Sequence, residues 1–87
     1  MDEILFKKIE QKIHDTISNK DEIVQLIKFL SDIDDSKSFA MGIIVGRLYN
    51  SFYYQTKRIL NREPTKEEFE EFLIFIKNKK PDLENLW

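Results

Sequence analysis

The chain has no cysteine, and its 87 residues include only two glycines, two prolines and one histidine. Without cysteine there is no disulfide and no thiolate nucleophile, and the composition suits a reducing compartment. The longest apolar run, residues 39–46, is far shorter than the ~20 residues that a membrane span requires. A net charge of −2 gives no bulk attraction to anionic surfaces. We therefore expect a single-domain, cytoplasmic protein without a membrane partner.

Residues that commonly carry catalysis or hold metals are too few or wrongly spaced. His14 is the only histidine, so no histidine triad can form. Residues 32–38 alternate like a calcium loop, but Lys37 stands where that loop needs glycine and Ile43 where it needs glutamate. The acidic run 67–71 lacks the Glu-x-x-His motif of di-metal bundles. We predict no catalytic, metal or cofactor site, and hence no enzyme.

Apolar residues recur at helical spacing along the whole chain, and strand-like alternation is missing. The sequence therefore predicts an all-α fold, a compact bundle of four helices with a long central third helix. The predicted helices cover residues 2–18, 20–33, 37–61 and 65–79.

Local signals support these boundaries. Asn19 followed by Glu22 has the spacing of a capping box, and Thr65 followed by Glu68 repeats it more strongly. Pro81 is expected to end the fourth helix. We expect the following residues to face the interior: Phe6, Ile9, Ile13 and Ile17 in the first helix, with Leu5 on the flank; Ile23, Ile27 and Leu30 in the second, with Val24, Leu26 and Ile33 widening that face; and Leu83, Leu86 and Trp87 in the tail.

Charge is distributed unevenly along the chain. Residues 36–62 contain no acidic residue, whereas the segments before and after them are both net acidic. Arginine together with tyrosine is typical of protein hot spots and also suits phosphate contacts and base stacking. Pairing with the glutamates of 67–71 in the same chain is an equally open interpretation. The candidate charged partner face consists of Arg47, Tyr54, Lys57, Arg58 and Arg62.

The run 39–46 is apolar on all sides, which predicts burial in the core of the monomer or in an oligomer interface. Gly42 and Gly46 share one helix face, where glycine costs about 1 kcal/mol relative to alanine. Such a pair suggests the close approach of another helix, from the same chain or from a second copy, or else of a ligand. The candidate interface residues are Phe39, Gly42, Ile43, Gly46, Tyr49 and Tyr53.

These patterns favour a non-enzymatic protein-interaction module that forms a homodimer through its third helix. A first alternative is a small nucleic-acid-binding or accessory protein that uses the arginine and tyrosine face. Against this alternative stand the acidic flanks and a sequence pI of about 5.4. A second alternative is an acidic adaptor or inhibitor of a basic protein.

Overall fold

Four α-helices joined by short connections make up residues 1–30 and 32–85, which are the residues that the computed structural model describes. No strand occurs among these residues. The predicted all-α bundle with a long third helix is confirmed. The helices are α1 Glu3–Ser18, α2 Lys20–Leu30, α3 Ser36–Leu60 and α4 Lys66–Glu84.

Side-chain caps start three of the four helices. Asp2 accepts two backbone N–H groups of α1, at 2.9 and 3.0 Å, and Asp35 accepts the N–H of Ser38 in α3 at 3.0 Å. At α4 the predicted capping box is present, because Thr65 and Glu68 each accept the other's backbone N–H. These caps satisfy donors that the first turn of a helix otherwise leaves unpaired.

The predicted break between the first two helices lies at Asn19, but this residue closes α1 and does not cap α2. Its side-chain amide donates to the carbonyl of Asp15 at 2.9 Å. The Glu22 N–H bonds to the backbone carbonyl of Asn19 at 3.1 Å, and not to its side chain. The predicted Asn19–Glu22 capping box is therefore wrong, because the Asn19 side chain is engaged by the preceding helix.

α2 is shorter than predicted and ends at Leu30, not at residue 33. Ile23 is its one fully buried residue, and Leu30, expected to face the interior, is 46% exposed. The following segment is rich in aspartate, which favours turns and caps over helix interiors. Neither packing nor propensity therefore extends the helix.

α4 is longer than predicted, because it continues through Pro81 to Glu84. Pro81 has no N–H to donate to the helix. Leu83 lies beyond it and is completely buried, so the last turn is held by packing against the core. The prediction that Pro81 ends the helix is therefore wrong. The expected packing of Leu86 and Trp87 falls outside the described residues.

One hydrophobic cluster takes side chains from all four helices. In α3 the buried residues follow one another at intervals of four, from Ala40 to Thr56. Phe52 stacks on Phe72 of α4 with ring centroids 4.5 Å apart. Thr56 is fully buried, but its hydroxyl donates to the Phe52 carbonyl at 2.7 Å, so this polar group is satisfied. The helix with the longest buried stripe is thus the centre of the fold.

The buried side of α1 is rotated relative to the predicted stripe. Leu5 and Thr16 are completely buried, whereas Phe6 and Ile17 are 39% and 36% exposed. Phe6 instead contacts the edge of Phe75 in α4, with ring centroids 5.1 Å apart. The molecule measures 40 × 21 × 20 Å. Its long axis matches the length of α3, about 37 Å at the helical rise.

Candidate interaction surfaces

Gly42 and Gly46 have open space in front of them. Apart from its two chain neighbours and the backbone of its own helix within four residues, a β-carbon built at either position meets no described atom within 4 Å. Neither glycine has a positive φ. Within the described chain, therefore, no helix approaches them closely, and local core packing does not explain them. Nor does backbone conformation require glycine at these two positions.

The six candidate interface residues divide between the surface and the core. Phe39 and Tyr49 are 37% and 42% exposed, and Gly42 is exposed as well. Ile43 and Tyr53 are partly buried and pack against the core cluster. The described part of the chain thus does not enclose the run 39–46 on all sides. We call the outward part the α3 outer face; it consists of the exposed Phe39, Gly42 and Tyr49 together with the half-buried Gly46.

Tyr49 and Tyr53 form an aromatic group at the border between α3 and α4. Their rings meet edge to face with centroids 5.0 Å apart, and Tyr49 also lies 6.3 Å from Phe69. A hydrogen bond to the Tyr49 side chain raises the pKa of Tyr53 above its ordinary value, because it favours the neutral phenol. These rings connect the α3 outer face to α4.

An apolar groove of about 580 Å³ lies between the first half of α3 and the second half of α4. Leu73 on its α4 side is 49% exposed. Lysines stand among the lining residues on both helices, and one of them, Lys80, pairs with Glu84 at 3.4 Å. The groove therefore combines an apolar lining with positive charge. Its apolar lining includes Met41, Gly42, Val45, Leu73 and Ile76, and its lysines are Lys37, Lys77 and Lys80.

A second, polar groove of about 560 Å³ lies between α1 and α3. It contains Arg47 and Tyr54 of the candidate charged face, and α1 adds Lys8 and Lys12. Gln55, also in its lining, has a buried side-chain oxygen without a hydrogen-bond partner among the described residues. The two lysines come from a different helix, and only the packing of α1 on α3 brings them to Arg47.

The other three residues of the candidate charged face, Lys57, Arg58 and Arg62, do not line the polar groove. Lys57 and Arg58 are exposed in the last turn of α3, where cations suit the negative end of the helix dipole. Arg62 lies beyond the helix and binds both carboxylate oxygens of Glu68, at 2.6 and 3.2 Å. For Arg62 the alternative of pairing with the chain's own glutamates is therefore the one observed.

The Arg62–Glu68 pair is tied to the start of α4. Glu68 also accepts the Thr65 N–H at 2.9 Å. The Arg62 guanidinium, together with the Thr65 N–H, lowers the pKa of Glu68 to about 2. The same carboxylate raises the pKa of Arg62. This ion pair fixes the turn between α3 and α4.

A further apolar surface, not predicted from the sequence, occupies the outer side of α2. Leu26, Phe29 and Leu30 follow helical spacing and are 44%, 85% and 46% exposed. The sequence feature that indicates this surface is the number of apolar residues in α2, which is larger than one buried face needs. We call these three residues the α2 patch.

Among residues 1–30 and 32–85, no group of acidic, histidine or cysteine side chains is arranged to hold a metal ion. The described helices also include none with the length and apolar character of a membrane span.

Comparisons with known proteins add no relationship to these observations: no protein-family model, curated protein or solved structure matches the chain. A functional proposal therefore depends on the surfaces described above.

Proposed function

We propose that the protein is a non-enzymatic interaction module that forms a homodimer through the α3 outer face. The observation that carries this proposal is the open space in front of Gly42 and Gly46. Each glycine costs about 1 kcal/mol in a helix interior, and nothing within the described chain offsets that cost. A second helix that packs closely on the same face would offset it.

The exposed apolar side chains around the glycines support the proposal. Phe39 and Tyr49 flank the two glycines, and Leu73 stands across the apolar groove. A contiguous apolar surface on a small protein is typical of an interaction site. Aromatic residues are also enriched at the centres of protein interfaces. The cytoplasmic location that a cysteine-free composition suits is part of this proposal.

The oligomeric state of the purified chain tests the proposal. Sedimentation equilibrium or size exclusion with light scattering should give the mass of a dimer at micromolar concentration. Gly46→Leu should shift the mass toward the monomer, because a β-carbon has room at Gly46 in the monomer whereas the larger side chain would occupy the space of the partner helix. Arg58→Leu adds the same side chain on the exposed final turn and should leave the dimer intact.

A monomeric wild-type chain would contradict the proposal, and so would a dimer unaffected by Gly46→Leu. Circular dichroism of both variants distinguishes loss of association from loss of folding. Because the space at Gly46 is open, we expect both variants to retain their helices.

A second candidate function is nucleic-acid binding at the polar groove. The observation that favours it is the meeting of Lys8 and Lys12 with Arg47 and Tyr54 across two helices. Three cations and one aromatic ring suit a phosphate backbone and a stacked base. Asp15 in the same lining opposes it. The groove carries fewer positive charges than most nucleic-acid-binding surfaces, so this function ranks second.

A gel shift with single-stranded and duplex DNA and RNA at two salt concentrations tests the second candidate. Binding that weakens with salt and is lost in Arg47→Glu, but retained in Arg62→Gln, would support it. Arg62 is the matched control because it pairs with Glu68 and lies outside the polar groove. Absence of any shift at low salt would exclude it.

A further inference from the structure

We propose that, in the homodimer, the α2 patch and the acidic linker of each copy dock into the apolar groove of the other. The acidic linker is residues 32–35, which contain three aspartates. This inference rests on the proposed function and names the second surface that the partner copy covers. The occupant of the groove is then a second copy of this chain.

The α2 patch is left uncovered by residues 1–30 and 32–85 of its own chain. Phe29 is 85% exposed, the highest exposure among the large apolar residues of the described chain. Ile23 and Ile27, on another side of α2, already pack into or against the core. α2 therefore carries more apolar surface than the monomer uses, and it presents that surface at three positions of one helical repeat.

The apolar groove matches the patch in chemistry. Its lining holds Met41, Val45 and Ile76, so it offers apolar surface to Leu26 and Phe29 of a partner. Knob-like side chains spaced three and four residues apart are the usual way in which a helix enters such a groove. The groove is open to solvent and lies between two helices that do not close over it.

Charge complementarity decides in favour of a second copy. The groove carries three lysines and one glutamate: Lys80 pairs with Glu84, and Lys37 and Lys77 leave a net positive charge. The linker that follows the α2 patch carries Asp32 and Asp34. A third aspartate of the linker already caps α3. Opposite charges at the margin of an apolar contact favour the correct partner and register. The last turn of α2 also carries Lys28, which lines a smaller cavity together with Val24 and Ile27.

The positions of the two surfaces permit both contacts at once. The linker connects the end of α2 directly to the first turn of α3, and Lys37 in that turn lines the groove. A smaller cavity between α2 and the start of α3 is lined by Val24, Ile27, Ser36 and Lys37, and it shares Lys37 with the groove. α2 and the groove thus both reach the first turn of α3. A two-fold axis near this turn places each patch opposite the other copy's groove, and the assembly closes as a dimer.

The first test removes one surface at a time from the full chain. Phe29→Ser alters the patch and Leu73→Glu alters the groove, and each should raise the dimer dissociation constant at least tenfold in sedimentation equilibrium. Ile74→Glu is the matched control, because Ile74 is 62% exposed on the same helix but lies outside the groove lining. It should change the constant less than threefold.

A mixture of Phe29→Ser and Leu73→Glu provides the sharper result. In a heterodimer of the two variants, one contact joins an intact patch to an intact groove, and the other joins the two altered surfaces. The mixture should therefore associate more tightly than either variant alone. A mixture that stays as weak as its components would overturn the pairing of patch with groove.

A charge exchange tests the register. Lys77→Glu should weaken the dimer, and adding Asp34→Lys to the same chain should restore at least half of the loss in dimer affinity. Failure of the second substitution to restore any affinity would count against this linker as the occupant.

The outcomes separate this inference from the proposed function. A dimer that is lost in Gly46→Leu but unaffected by Phe29→Ser and Leu73→Glu supports the α3 outer face and overturns the docking of α2. A monomeric wild-type chain at all concentrations overturns both. Circular dichroism must show unchanged helix content in each variant, and Phe29→Asn replaces Phe29→Ser if that variant unfolds.

Discussion

Replacement of Gly46 by alanine should stabilise the monomer while leaving its fold unchanged. Alanine is favoured over glycine in a helix interior by about 1 kcal/mol. At Gly46 no clash subtracts from this gain, because an added β-carbon meets no described atom within 4 Å outside the adjacent residues and nearby backbone of its own helix. Gly46 does not have a positive φ, so alanine introduces no backbone strain at this position. For a chain of this size, about 1 kcal/mol corresponds to a Tm increase of roughly 4–8 °C.

The assay is urea unfolding followed by circular dichroism, at a protein concentration where sedimentation shows monomer. Association must be avoided here, because partner binding adds its own concentration-dependent stability. The midpoint should rise while the m-value stays constant, which indicates a change in stability alone. Asn50→Ala, at an exposed position one helical turn later, is the propensity control and should gain about 0.5 kcal/mol.

Destabilisation of the monomer by Gly46→Ala would refute the reasoning. It would mean that a part of the same chain lies close to Gly46, so that the glycine is needed for internal packing. The proposed dimer seam would then lose its principal support, whatever the oligomeric state. Gly42→Ala repeats the experiment at the border of the apolar groove and should give a gain of similar size.

Three further predictions concern the ends of the helices. Glu68 has a pKa of about 2 in the folded chain against 4.5 otherwise; its contribution to stability is therefore present above about pH 5 and is lost as the pH falls toward 2. Glu68→Gln should lower the free energy of unfolding at pH 7 by about 1 kcal/mol and reduce the loss of stability between about pH 5 and pH 2. An unchanged loss of stability over this pH range would contradict the lowered pKa of Glu68. Asn61 has a φ of 56°, so Asn61→Gly should preserve or raise the free energy of unfolding measured in urea, whereas Asn61→Ala should lower it by about 1 kcal/mol. Pro81→Ala should restore a helical hydrogen bond and raise the free energy of unfolding by ~1–3 kcal/mol, and a lower value would show that proline is favourable at this place.

The number of helices and their type could be predicted because the apolar period is helical throughout and local caps mark the starts. The capping box of Thr65 and Glu68 depends only on residues three apart, and it is present as predicted. The prediction that Pro81 ends α4 is wrong because the helix-breaking effect of proline competes with the burial of Leu83, which is a tertiary contact. Local signals thus succeed where the deciding interaction is itself local.

The surfaces could be predicted only in part, for the same reason. Wheel geometry correctly places Arg47 and Tyr54 together, but their neighbours Lys8 and Lys12 come from another helix. Pairing of Arg62 with Glu68 was one of two open alternatives, and only the path of the turn between α3 and α4 decides between them. Likewise, the exposure of Phe29 depends on which side of α2 faces the core.

Few side chains of α2 are buried in the core, and this affects how easily the helix opens. Of its eleven residues, Ile23 alone is fully buried, whereas α3 contributes five buried residues. Segments with few buried contacts open at a lower free energy than the molecule as a whole. Amide hydrogens of α2 should therefore exchange with solvent sooner than those of α3. Association through α2 should slow that exchange. Amide protection in α2 that rises with protein concentration would therefore indicate that the dimer forms through this helix.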